Sequence, residues 1–196
     1  MKICCSAYLL GAMLALAPLP ALAHSFQLGV IVPLTGPDSQ RGTEALDGLR
    51  LATRERDGHP DETSDGHLGG LDSHLRPIDS ARASSAEELK ALVAERRLDL
   101  VTIATDRVDA GRLADAFADP AMPAFCPPGS GPVPIDDLEG AGARPFATSF
   151  RGEFGYPPTP EAAIGYNAGR AVDAAVRELG GVTDKAALVR LCSRAE

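Results

Sequence analysis

Residues 26–57, FQLGVIVPLTGPDSQRGTEALDGLRLATRERD, constrain the fold more than any other stretch of the chain. Leu28 to Leu34 is an apolar run rich in Val and Ile, with no polar alternation. A strand that alternates presents one face to water. One that does not alternate is buried on both faces, as in a parallel sheet covered by helices. The run is followed by a turn, Thr35-Gly36-Pro37-Asp38, and then by a helical pattern from about Asp38 to Arg56, in which Ala45, Leu49 and Ala52 recur on one side with Leu46 beside them. Strand, glycine turn and helix in that order form the first half of a βαβ unit.

The residues before this stretch read as a targeting segment. Lys2 is a short basic region, Ile3 to Leu16 is apolar, Pro18 and Pro20 interrupt it, and Ala21-Leu22-Ala23 is a small-x-small cleavage site. The expectation is a secretory signal peptide over residues 1–23 and a mature domain over residues 24–196, exported to the periplasm. The apolar run is short and proline-interrupted for a membrane-spanning helix. The formal net charge of the whole chain is −8, and removing Lys2 makes the rest more acidic. An acidic surface argues against nucleic acid and anionic membranes as partners. Cys126 and Cys192 lie beyond the signal segment, either as a disulfide, which an oxidising compartment permits, or as two buried thiols.

Further along, the pattern repeats. Leu75 to Asp79 reads as a second strand. Ser84 to Arg97 reads as a helix capped by Ser84 with Glu87 three residues on, and Asp99 to Thr105 as a third strand. Asp106 to Asp119 is a further helix and Met122 to Phe125 a fourth strand. Such alternation predicts an α/β fold: an open, mainly parallel sheet with helices on both faces and right-handed crossovers. It stops at a Pro/Gly-rich segment over residues 127–142, which reads as a linker. Phe146, Phe150 and Phe154 then recur at helical spacing, as core. Pro160 to Leu179 forms a long Ala-rich helix ended by Gly180-Gly181, and Thr183 caps a last helix running to about Arg194.

The polar segment from Asp57 to His74 admits three readings. Against a calcium loop, Asp61, Thr63, Asp65 and Asp72 fall at the ligand positions one, three, five and twelve, with Gly66 at six. Thr63 is a weak ligand, Asp72 is shorter than the usual Glu, and no helix pair flanks the loop. His59, His67 and His74 offer a transition-metal set, but their spacing matches no compact motif. A solvated loop with turn glycines needs no metal.

IVPLTGPDSQRGTEALDGLRLA resembles the opening of the branched-chain amino-acid and amide binding proteins of ABC transporters, the type I periplasmic binding proteins. Leu68-Gly69-Gly70-Leu71 is similar to that family's glycine turn, and FATSFRGEFGYPPTPEAAIGYNAGRAVDAAVREL resembles its C-terminal region. Each motif is short; their order along the chain carries the resemblance. It implies a lobe of the periplasmic-binding-protein type, and a small polar solute, an amino acid or amide, delivered to a membrane permease. Family members have two lobes and are about twice this size. Residues 127–142 sit where the second lobe would be inserted, which implies a single-lobe relative.

In an open parallel sheet, ligands sit at the carboxyl ends of the strands, where the strand order reverses. That edge is built from Thr35 and Gly36 after the first strand, Asp79 and Ser80 after the second, and Thr105, Asp106 and Arg107 after the third. Hydroxyls of Thr35, Ser80 and Thr105 suit a carboxylate, Asp79 or Asp106 an ammonium or amide group, and Arg107 an anion. Helix capping explains the same residue types without a ligand. No nucleophile elbow, P-loop or dinucleotide fingerprint occurs, so no enzyme activity is expected and no cofactor is required. The alternative to solute binding is an accessory protein. It would dock to another periplasmic protein, or form a homodimer, through an apolar face that a second lobe would have covered.

Overall fold

A computed structural model describes residues 25–56, 63–106, 110–127, 135, 140 and 144–194. The expected signal peptide, most of the linker, Asp61, His59 and Arg107 lie outside the described residues.

β1 (Ser25–Val32) is the centre of a five-stranded sheet ordered β2-β3-β1-β4-β5. It pairs in parallel with β3 (Leu71–Asp79) on one side and β4 (Leu100–Ile103) on the other, so that Leu28 lies beside both Leu75 and Leu100. β5 (Ala124–Cys126) continues the parallel order, and β2 (His67–Leu68) adds an antiparallel hairpin on β3. The unbroken apolar character of β1 follows from its two covered faces. Leu28, Val30 and Val32 enter one core with Leu46, Leu49, Ala168 and Val172, whereas Ile31 enters another with Leu89, Val93, Leu113 and Phe117.

The first face is covered by α1 (Ser39–Arg54), α5 (Pro160–Leu179) and α6 (Lys185–Cys192), the second by α2 (Ala86–Ala94) and α3 (Ala110–Ala116). α1 and α5 approach backbone to backbone. A Cβ on Gly48 would sit 1.8 Å from the Ala162 carbonyl oxygen, and one on Gly165 would sit 1.7 Å from that of Ala45. Only glycine fits at either point. α4 (Phe146–Phe154) lays Phe146 and Phe150 on a third cluster with Leu51, Ala162 and Tyr166. The Phe146 and Tyr166 rings lie 4.8 Å apart and Phe150 meets Tyr156 edge-on at 5.1 Å, so the aromatic spacing seen in the sequence is core packing.

Cys126 and Cys192 form a disulfide joining the end of β5 to the last turn of α6. The cysteines are 66 positions apart in sequence, and for a loop of that length closure entropy puts the bridge's contribution at about 4 kcal/mol.

Several boundaries differ from the sequence reading. β3 begins at Leu71 rather than Leu75, because Ser73 is buried and hydrogen-bonded to Gly66 while Leu75 N–H donates to Asp65. Polar residues paired this way carry no hydrophobic alternation to read. The β2–β3 hairpin turns on Gly69 and Gly70, both at positive φ (65° and 84°). Ser85, not Ser84, caps α2: its hydroxyl accepts from Glu88 N–H, and Ser84 donates both N–H and O–H to the Glu88 carboxylate. Asp184, not Thr183, caps α6 by accepting from Ala187 N–H. α3 is shorter than the expected 106–119, and β5 is shifted from 122–125 to Ala124–Cys126.

Candidate functional site

The order β3-β1-β4 places the first and third parallel strands side by side with their connections leaving in opposite directions, so the reversal lies between β1 and β4. Thr35, Gly36, Asp79, Ser80, Thr105 and Asp106 all gather at this carboxyl edge. Thr35 and Gly36 are exposed, Ser80 opens a single 3₁₀ turn, and Thr105 is buried beyond β4. Gly42 brings the first turn of α1 against the end of β1, since a Cβ there would meet the Pro33 carbonyl oxygen at 1.7 Å.

Asp79 stitches this edge together. Its carboxylate accepts from Leu34 N–H at 2.8 Å, from the Thr35 hydroxyl at 2.7 Å and from Ala81 N–H at 3.1 Å. Partial burial raises the carboxyl pKa, but these bonds outweigh it and hold the group below its ordinary value. Two sequence expectations change in detail. The Thr35 proton points at Asp79, so a solute meets Thr35 Oγ1 as an acceptor. Asp79 already serves three donors, which leaves Asp106, with 57% of its side chain exposed, as the more accessible carboxylate for an ammonium or amide.

Arg41 and Glu161 join the edge, although neither is among the residues that the strand-end pattern singles out. Arg41 Nε donates to Glu161 at 2.6 Å, its Nη2 also pairs with Glu161, and Nη2 lies 4.0 Å from Asp106. The hydrogen bond to Glu161 raises the Arg41 pKa, and the charges of Glu161, Asp106 and Asp38 add to the effect against a smaller desolvation penalty. A different signal could have found the pair. A basic residue in the first turn of a helix opposes the helix dipole and needs a nearby carboxylate. Glu161 supplies it from the first turn of α5, whose N-cap Thr159 also donates to Glu44 of α1.

The loop read as a metal candidate is occupied differently. Asp65 caps Leu75 N–H at 2.8 Å, Asp72 pairs with His67 at 2.9 Å, and Thr63 is exposed. β2 and β3 pair within the stretch that a calcium loop would leave open for its ligands. Among the described residues no group of three or more His, Cys, Asp or Glu side chains converges to hold a metal ion. Asp173, buried in α5, fastens the same hairpin by accepting from Gly69 N–H at 2.8 Å and pairing with Arg56 and Arg177. Among the described residues the uncovered apolar face on which the accessory-protein alternative depends is not found. Among the described residues Val189 alone is an exposed large hydrophobic side chain, because α5, α6 and the aromatic cluster cover the sheet on their side. No helix among these residues is long and apolar enough to cross a membrane.

Neither a protein-family model nor a curated protein sequence matches the chain. Solved structures do. The chain is similar to an ABC-transporter substrate-binding protein from Sphaerobacter thermophilus, with a TM-score of 0.58 at 14% identity, covering 86% of this chain and 85% of that one. It is also similar to an ABC-transporter solute-binding protein from R. palustris in complex with benzoate, with a TM-score of 0.51 at 14% identity, covering 86% and 84%. Over the matched residues the chain shares the fold of these solute-binding proteins.

Proposed function

We propose that the protein is an exported, solute-binding-protein-like module of the ABC-transporter type, holding a small polar solute at the carboxyl ends of β1 and β4 and working with a membrane permease. One observation carries this reading: the strand-end edge, at the reversal of strand order, combines hydroxyls and the N-terminal turn of α1 with the exposed carboxylate of Asp106. Backbone N–H groups recognise the acceptor end of a solute, and Asp106 recognises a donor end. A solute carrying both, an amino acid or amide, fits better than a simple acid. The R. palustris neighbour binds benzoate, which has only the acceptor end, so simple carboxylates belong in the same test.

Thermal-shift screening of amino acids, their amides, benzoate and related acids tests the proposal. A ligand of the native state raises the melting temperature, by mass action, as its concentration passes Kd. A rise with amino acids or amides, abolished in Asp106→Ala, supports it. No rise with any class, together with a stable complex with another periplasmic protein, would instead support an accessory role.

A further inference from the structure

Among the described residues the strand-end edge carries more negative than positive charge. Asp38, Asp106 and Glu161 act on the Arg41 guanidinium there, and Asp79 lies on the same edge. Asp79 is committed to its three donors. Glu161 takes Nε and Nη2 of Arg41, while the 4.0 Å separation from Asp106 is an ion pair without a hydrogen bond. A guanidinium has five N–H donors, and the Nη1 amino group of Arg41 meets no protein acceptor among the described residues. Arg41 is thus fixed from one side by a residue of α5 and retains donors on another, beside the carboxylate that the proposed function assigns to the solute's donor end. Arg41 and Glu161 stand in the first turns of α1 and α5, and the α1–α5 approach at Gly48 and Gly165 fixes the separation of these helices.

We propose that the Arg41–Glu161 pair is the specificity-determining element of the strand-end site, setting how strongly the edge favours the carboxylate or the ammonium end of a solute. This rests on the proposed function. With the pair intact, Arg41 offers donors to an anion while Asp106 holds a cation, which suits a solute bearing both charges. Removing Arg41 leaves only carboxylates among these groups. Neutralising Glu161 releases Arg41 from its local counter-charge. A unit charge about 6 Å from the solute, at an effective dielectric between the surface and bulk values, is worth roughly tenfold in affinity.

The test uses three probes on one carbon skeleton: leucine, with both charges; 4-methylpentanoate, lacking the amine; and 3-methylbutylamine, lacking the carboxylate. Calorimetric titration at low salt compares the wild-type chain with Arg41→Gln and Glu161→Gln. The expected result is that leucine binds the wild type best, Arg41→Gln shifts the amine-to-acid affinity ratio by roughly tenfold to a hundredfold toward the amine, because the two probes respond in opposite directions, and Glu161→Gln shifts it about as far toward the acid. Misfolding weakens every probe together and cannot move the ratio in opposite directions in the two variants. If the wild type binds a probe and the ratio is the same in all three proteins, the Arg41–Glu161 assignment is overturned and the site reading stands. If no protein binds any probe, both are overturned.

Discussion

The close approach of α1 and α5 gives the fold its sharpest test. In Gly48→Ala the new Cβ would begin 1.8 Å from the Ala162 carbonyl oxygen, whereas real Cβ atoms essentially never come within 3.0 Å. The helices must therefore separate by about 1.2 Å at the crossing. A gap of 0.5–1 Å already forfeits a quarter to a half of the dispersion attraction across it. The surfaces that would part include Ala45, Leu49 and Ala52 of α1, all buried. Overpacking of this kind costs about 3 kcal/mol or more here, against roughly 1 kcal/mol gained from the better helix propensity of alanine. The net loss lowers the melting temperature by about 4–10 °C for a chain of this size. Gly152→Ala is the internal control. It lies in α4, and a methyl group placed there would have nothing within 4 Å, so the same substitution should stabilise by about 0.4–1 kcal/mol. Scanning calorimetry and urea denaturation measure both. If Gly48→Ala melts at or above the wild type, or if Gly152→Ala falls by as much as Gly48→Ala, direct backbone contact between α1 and α5 is refuted.

Reduction of the Cys126–Cys192 bridge, or the Cys126→Ser/Cys192→Ser double variant, should lower stability by about 4 kcal/mol and the melting temperature by roughly 10 °C; an unchanged melting curve under reductant would mean the bridge adds no stability. Asp173→Ala strands Gly69 N–H together with Arg56 and Arg177. Because both arginines are partly exposed, the expected loss is about 2–3 kcal/mol, read in urea, with Asp173→Asn costing less because it keeps an acceptor for the glycine. Asp79 has a folded pKa below its ordinary 3.8, so the stability it supplies is complete above that value and is lost as pH falls through the lower folded value. The stability difference between the wild type and Asp79→Asn should therefore shrink as pH drops below about 4, and a constant difference from about pH 6 to pH 2 would exclude the linkage. Burial, and then the hydrogen bond to Glu55, push the Tyr166 hydroxyl up to about 12. Stability should accordingly decline as pH rises from about 10 toward 12, a decline that Tyr166→Phe reduces, the remainder coming in part from Tyr156, whose hydroxyl is likewise pushed up by burial and by Asp47.

Elements with an uninterrupted apolar signature are legible in the sequence. β1 and β4 announce themselves because both their faces are buried, and α5 begins at Pro160 and ends at Leu179 as its proline and paired glycines indicate. The start of β3 is not legible. Asp72, Ser73 and His74 look like loop residues until Asp65 and Gly66 are seen to satisfy the strand from across the hairpin. The caps slip by one residue because Ser84 and Ser85, like Thr183 and Asp184, are adjacent candidates, and backbone geometry chooses between them. At the candidate site the strand ends follow from the βα order, so Thr35, Asp79 and Asp106 can be named without coordinates. How their hydrogen bonds are shared out cannot. Asp79 faces inward to Leu34 and Thr35, and Glu161 reaches Arg41 across 120 residues of sequence. Only the packing of α5 on α1 brings that pair to the edge.

The most direct test of a solute site at the strand ends is a ¹H–¹⁵N correlation spectrum of the labelled protein, titrated in turn with leucine, an amino-acid amide and benzoate. Saturable shifts are expected for one or more of these solutes, concentrated at the amides of Thr35, Gly36, Gln40, Arg41, Thr105 and Asp106 and weak over the β2–β3 hairpin and the aromatic cluster of α4. Saturable shifts centred on the hairpin or on α4, with the strand-end amides unmoved, would contradict a solute site at this edge.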